Sequence, residues 1–149
     1  MTKIPLKFRR LAHATDLALP SYATAGAAGM DIAAAINQPM DLEPRETMAI
    51  PTGFAIEIPP GYEVQIRPRS GLALKYGVTI ANAPGTIDSD YRGEIMVILL
   101  NNGNQCFTIK RGMRIAQMVL ATVNIIKPIE VDDLEKTGRA ADGFGSTGL

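Results

Sequence analysis

An all-β fold with one short helix is what this sequence predicts, and three observations predict it. Apolar and polar residues alternate strictly through two stretches: Phe54, Ile56 and Ile58 around Ala55 and Glu57, then Tyr62, Val64 and Ile66 around Glu63, Gln65 and Arg67. That period of two marks strands with one buried face. Glycine and proline turns punctuate the chain at short intervals, and helical periodicity is almost absent outside residues 71–76. Such a pattern favours a sandwich or barrel, and 149 residues suit a single domain with one core.

In chain order, Ile4, Leu6 and Phe8 alternate with Lys7 and Arg9 as a first strand. Punctuation follows at Leu19-Pro20-Ser21 and at residues 25–29. The apolar run 30–36 then carries one charge, Asp31, close behind Gly29; on local grounds it is as readily an Asx-type turn group. Pro59-Pro60-Gly61 turns the chain between the two alternating stretches, so a plain antiparallel hairpin is expected there.

Arg69-Ser70-Gly71 precedes good helix formers, which puts Ser70 at or near the N-cap of a short helix whose exposed N–H groups favour an anion. Arg69 adds a fork suited to phosphate oxygens, although spacing alone also fits a capped helical turn with a surface arginine. Between the β-rich runs 78–80 and 95–100, Pro84-Gly85 reads as a turn. The stretch 82–94 is far more polar than a tight turn needs, carrying Asn82, Asp88, Asp90, Tyr91, Arg92 and Glu94. Turn chemistry alone makes it a solvated hairpin.

Residues 101–105 form a polar turn and 106–109 a short strand, with Cys106 expected as a small core residue. A glycine turn then leads into a strand over 113–120, where Gln117 is the uncharged polar residue. Residues 129–135 read as an acidic, solvated edge. From Arg139 on, glycine and small residues predict a mobile arm, in which Phe144 is the large apolar ring available to stack on a base.

Fifteen basic residues balance fifteen acidic ones, which argues against a surface built for nucleic acid or an anionic membrane. One cysteine excludes an internal disulfide and a cysteine-rich zinc site. His13 is the single histidine, expected as an ordinary surface residue, so a histidine cluster is unavailable. The longest apolar run, 95–100, falls far short of the roughly 20 residues of a membrane span, and the start lacks a signal-peptide apolar block. A cytoplasmic protein is expected.

Five stretches, in order, resemble the five motifs of the trimeric all-β dUTPases. They are Ala28-Gly29-Met30-Asp31-Ile32-Ala33-Ala34, residues 68–77 from Pro68 to Gly77, residues 85–94 from Gly85 to Glu94, residues 111–120 from Arg111 to Leu120, and Gly143-Phe144-Gly145-Ser146-Thr147-Gly148. The fifth match departs from the family where Ala140 and Asp142 stand in place of glycines.

The resemblance implies a distorted jelly-roll barrel over residues 1–136 and a glycine-rich arm over 137–149 that closes on the active site. It implies hydrolysis of dUTP to dUMP and pyrophosphate, in a homotrimer with shared sites. Asp88 is then the general base, and Asp31 lies near the water shell of a Mg²⁺ held mainly by substrate phosphates, with no direct protein ligand. Arg69, Ser70, Gly71, Gln117, Arg139, Gly145, Ser146 and Thr147 handle phosphates. The hairpin backbone about Gly85, Thr86 and Ile87 pairs with the uracil edge, Asn82 adds an amide, Met96 is a further substrate-binding residue, Tyr91 packs under the deoxyribose and Phe144 stacks. Two other readings stay open: dCTP deaminase, which shares the fold but needs a glutamate to activate water at the ring, and a jelly-roll module that binds nucleotide without turnover.

Overall fold

The computed structural model describes residues 3–143. Among them a four-stranded sheet is ordered β1 (Lys7–Arg10), β5 (Thr47–Glu57), β9 (Glu94–Asn101) and β7 (Val78–Ile80). A five-stranded sheet is ordered β2 (Ser21–Tyr22), β3 (Met30–Ala33), β11 (Arg114–Thr122), β6 (Tyr62–Arg67) and β8 (Gly85–Ile87). A short ribbon pairs β10 (Phe107–Ile109) with β4 (Met40–Leu42). One seven-residue helix, α1 (Ser70–Tyr76), joins β6 to β7. Every strand pairing is antiparallel. This is a jelly roll.

Alternation explains the core. Ile50, Ile56, Val97 and Leu99 from the first sheet and Ile32, Val64, Ile66 and Met118 from the second are all buried in one cluster between the layers. Each such side chain contributes about 1.5–3 kcal/mol on burial. Among the described residues no helix is long and apolar enough to cross a membrane.

The two alternating stretches do not form the expected hairpin. β5 pairs with β1 and β9, whereas β6 pairs with β11 and β8 in the other sheet. Two consecutive prolines, Pro59 and Pro60, supply no backbone N–H for a hairpin ladder, so the link serves as a crossover between layers. Its turn is closed by Tyr62 N–H to Pro59 O (3.3 Å) and tied to the end of β11 by Val123 N–H to Gly61 O (2.9 Å).

Pro84-Gly85 is likewise not a simple turn. The flanking strands β7 and β9 do pair, Ile80 opposite Leu99. Between them, however, Gly85 already belongs to β8, which leaves that hairpin and joins the edge of the second sheet beside β6. Cys106 is exposed, not a core residue; β10 turns Phe107 and Ile109 inward, and the cysteine just precedes it. Partial desolvation, then the Glu43 and Asp41 carboxylates, raises its thiol above the usual range.

Candidate active site

The outer face of the five-stranded sheet carries a polar row that the strand register sets side by side: Ser21, Asp31, Gln117 and Arg67. Asp31 is its centre, with a side chain only 14% exposed. Its Oδ1 accepts from Arg69 Nε at 3.1 Å and from Gln117 Nε2 at 3.4 Å, and its Oδ2 accepts from Arg114 Nη1 at 3.0 Å. Arg69 also donates from Nη1 to Arg114 O at 3.3 Å. Two guanidinium groups against one carboxylate leave surplus positive charge at the surface, an arrangement that accepts phosphate oxygens.

Arg114 reaches this face because the ladder is broken. Arg114 pairs with Ala33 and Ala116 with Ile32, so Ile115 is the extra residue of a bulge. A bulge re-aims the side chains on either side of it. In an unbroken strand, residues 114 and 117 would face opposite sides. The arginine is therefore invisible to strict alternation, and it is the main site residue the sequence reading passed over. Arg67 lies at the end of the same row, held by Gln65 Oε1 through Nε (3.1 Å) and Nη2 (2.6 Å).

Beside the row, Arg69 is extended (φ −91°, ψ 125°) and is the N-cap of α1. Ser70 is thus the first helical residue and not the cap, and no side chain caps the helix. The N–H groups of Ser70 and Gly71 have no intrahelical acceptor by the geometry of a first turn and lie next to Arg69. A groove of about 330 Å³ runs along Asp31 and Arg114, walled by residues 16–21. Its wall is held by Arg111, whose guanidinium binds the Asp16 carboxylate, His13 O (2.7 Å) and Ile36 O (3.1 Å). That guanidinium hydrogen bond holds the Asp16 carboxyl below the usual range.

A second set of expected residues gathers on β8 and the loop after it. β8 is an edge strand, paired with β6 on one side only, so its other side presents backbone N–H and C=O groups. Asn82 lies over Gly85, where an added Cβ would stand 3.3 Å from the amide nitrogen. Thr86 is exposed and Ile87 buried. Asp88 follows, exposed, and its carbonyl accepts from Tyr91 N–H at 3.1 Å. The Tyr91 ring folds over Gly93, where any Cβ would come within 2.3 Å of its hydroxyl. That hydroxyl donates to Glu94 O at 3.0 Å. Met96 is exposed on β9 opposite Pro51.

His13, expected as an ordinary surface histidine, is half-buried and its Nε2 lies 2.8 Å from Glu94 Oε1.

The structure brings Asp31, Arg69 and Gln117 into contact and places Ser70 and Gly71 beside them, but it separates Asp31 from Asp88. From Asp31 to β8 is three strand steps, and Asp88 lies four residues along from the position facing Arg67. At about 4.8 Å per step and 3.3 Å per residue, their Cα atoms stand on the order of 20 Å apart. Arg139 lies in a turn of the chain's own end, donating from Nε to Asp142 O at 2.9 Å. Phe144, Gly145, Ser146 and Thr147 lie outside the described residues. Among the described residues no three His, Cys, Asp or Glu side chains gather as a metal cage. A cleft of about 530 Å³ between Tyr76 and Phe107, at the far end of α1, contains none of the expected site residues.

Comparison with known proteins identifies the family and the fold. A family model described as dUTPase matches residues 15–148. Proteins named deoxyuridine 5'-triphosphate nucleotidohydrolase are similar over nearly the whole chain. That of Zymomonas mobilis is 54% identical over 147 residues, covering 99% of both chains, and that of Caldanaerobacter subterraneus is 56% identical over 146 residues, covering 98% and 99%. The Staphylococcus bacteriophage 80alpha dUTPase, solved with dUPNHPP, superposes with a TM-score of 0.88 at 26% identity, covering 99% of this chain and 100% of that one.

Proposed function

The chain belongs to the dUTPase family, and from that premise we propose how its residues hydrolyse dUTP to dUMP and pyrophosphate. The observation that carries the reading is the Asp31 cluster, a carboxylate held by Arg69, Arg114 and Gln117 with net positive charge facing solvent. The triphosphate takes over Arg69 and Gln117 as partners, joined by the first-turn N–H groups of Ser70 and Gly71. Positioning and charge neutralisation are the main work of phosphoryl transfer.

The edge of β8 recognises the base. Gly85, Thr86 and Ile87 offer alternating donors and acceptors to a uracil edge, Asn82 adds an amide, Met96 lies at the apolar side and the close turn excludes a thymine methyl group. Tyr91 packs under the deoxyribose, where a 2′-hydroxyl would collide. Asp88 accepts the proton of the water that attacks the α-phosphorus, a role worth about 10² to 10⁴ in rate.

The separation of Asp31 from Asp88, on the order of 20 Å by the strand spacings, is far more than a triphosphate spans. That separation supports a site completed between copies of the chain, and the resemblance to the trimeric dUTPases makes the assembly a homotrimer. The segment after β11 supports this: Ile125, Ile126 and Leu134 are 80–90% exposed, an apolar surface that a neighbouring copy covers. Residues 1–136 form the body, and residues 137–149 form an arm that brings Arg139, Phe144, Gly145, Ser146 and Thr147 to the bound nucleotide.

Mg²⁺ fits this donor set as an ion carried by the substrate. Asp31 is a lone carboxylate among cations, which suits a metal that keeps phosphate and water ligands and not an all-protein cage. When bound, Mg²⁺ neutralises phosphate charge, and Asp31 is the residue placed to orient its waters. The reaction keeps uracil out of DNA and supplies dUMP for thymidylate synthesis.

Incubation with dUTP and Mg²⁺ in heavy-oxygen water tests the reading. Pyrophosphate with the label in dUMP is expected. Release of terminal phosphate, or no turnover, rejects it, and ammonia from dCTP selects the deaminase instead.

A further inference from the structure

The loop carrying Tyr91 returns to the first sheet at a break in that sheet. β5 pairs Pro51 with Met96 and Ala55 with Glu94, so residues 52–54 bulge out of the ladder, and Gly53 sits at φ +75° with its would-be Cβ 2.1 Å from that of Ala14. The break leaves backbone groups without ladder partners, and three of them find substitutes. Thr52 Oγ1 donates to Ile95 O (2.7 Å), Leu11 N–H donates to Gly53 O (2.9 Å), and Gly53 N–H donates to Glu94 Oε1 (2.7 Å). The same Glu94 oxygen takes the His13 ring at 2.8 Å.

Glu94 therefore has two jobs. Its side chain, 22% exposed, is clamped between the bulge and the N-terminal helical turn at Ala12–Ala14. Its backbone carbonyl holds the Tyr91 hydroxyl. The tyrosine ring is itself 45% exposed, with Gly93 beneath it, so its placement depends on where the Glu94 backbone is pinned.

We propose that Glu94, clamped by His13 and the Gly53 N–H, is a positioning residue for Tyr91 and sets how strongly the enzyme discriminates dUTP from UTP. The clamp touches neither phosphate nor attacking water; it acts through the ring that closes the sugar pocket. The proposal rests on the reading of Tyr91 against the deoxyribose.

The test measures kcat and KM for dUTP and UTP in Glu94→Ala, Glu94→Gln, His13→Ala and Tyr91→Ala, with thermal melting as a folding check. Glu94→Ala is expected to raise KM for dUTP about tenfold with kcat changed by less than about threefold, and to lower the dUTP-to-UTP ratio of kcat/KM about tenfold. Glu94→Gln keeps an acceptor for Gly53 and restores most of the ratio, while His13→Ala gives an intermediate loss. A mere loss of stability lowers both substrates alike and leaves the ratio unmoved. If Tyr91→Ala lowers the ratio and Glu94→Ala does not, the positioning role is overturned. Should Glu94→Ala fail to fold, an unchanged ratio in His13→Ala overturns it. An unchanged ratio in Tyr91→Ala overturns this inference together with the reading of the tyrosine.

Discussion

Arg114 and Gln117 stand three residues apart on one strand, yet both donate to the carboxylate of Asp31. Only the bulge at Ile115 allows this, by turning two positions that should face opposite sides onto the same one. In the proposed complex, where Arg69 turns to a phosphate, the carboxylate keeps one guanidinium, that of Arg114.

Arg114→Ala should therefore weaken substrate binding without disturbing the fold. A hydrogen bond to a charged group contributes about 1.5–3 kcal/mol when shielded, and Arg114 is 59% exposed, so the lower end applies. KM for dUTP is expected to rise about tenfold, with the melting temperature almost unchanged. Steady-state kinetics and a thermal melt check both halves.

Asp88→Asn removes the proposed base but keeps the side chain's shape. The carboxyl is exposed and the loop is held by backbone contacts such as Tyr91 N–H to Asp88 O, so the fold and nucleotide affinity should survive. Turnover should fall about 10² to 10⁴-fold. Titration with a non-hydrolysable dUTP analogue, alongside single-turnover rates, separates the two; an unchanged kcat removes Asp88 from its role.

Deleting residues 139–149 should cripple turnover while sparing the body. The chain from 124 to 142 is exposed throughout, and the core cluster draws nothing from it. Melting within a few degrees of the intact protein, with kcat/KM strongly reduced, is the expected pair of results. Full activity would show the arm to be dispensable.

Stability should also depend on pH through Asp16. The Arg111 hydrogen bond lowers its carboxyl below the usual aspartate range, so the folded state binds the proton less readily than the unfolded one. The contribution is present above the ordinary aspartate value and is lost as pH falls through the depressed one. Lys7 acts on Glu57 in the same direction. Melting temperatures of the wild type and Asp16→Asn should differ near neutrality and converge in acid; a constant gap across the range would refute the linkage.

Residues 54–67 show where reading the sequence stops. Alternation there identified both strands and the buried face of β6, because a period of two reflects only the geometry of the chain itself; in β5, covered on both faces, Ala55 is buried along with Phe54 and Ile56. Alternation could not say that β5 and β6 enter different sheets, since partner choice is decided by strands distant in sequence, β9 and β11.

The same division runs through the site. Asp31, Arg69, Gln117 and Asp88 stood out through the family resemblance, while the all-β class, the short helix and the exposed acidic stretch 129–135 followed from local pattern. Arg114 and the Glu94–His13 clamp were not legible, because a bulge changes the face on which a side chain stands and a half-buried side-chain contact joins residues 81 positions apart. Tertiary structure alone set the distance between Asp31 and Asp88. Local preference governs what each segment is, while long-range strand pairing governs what each side chain meets.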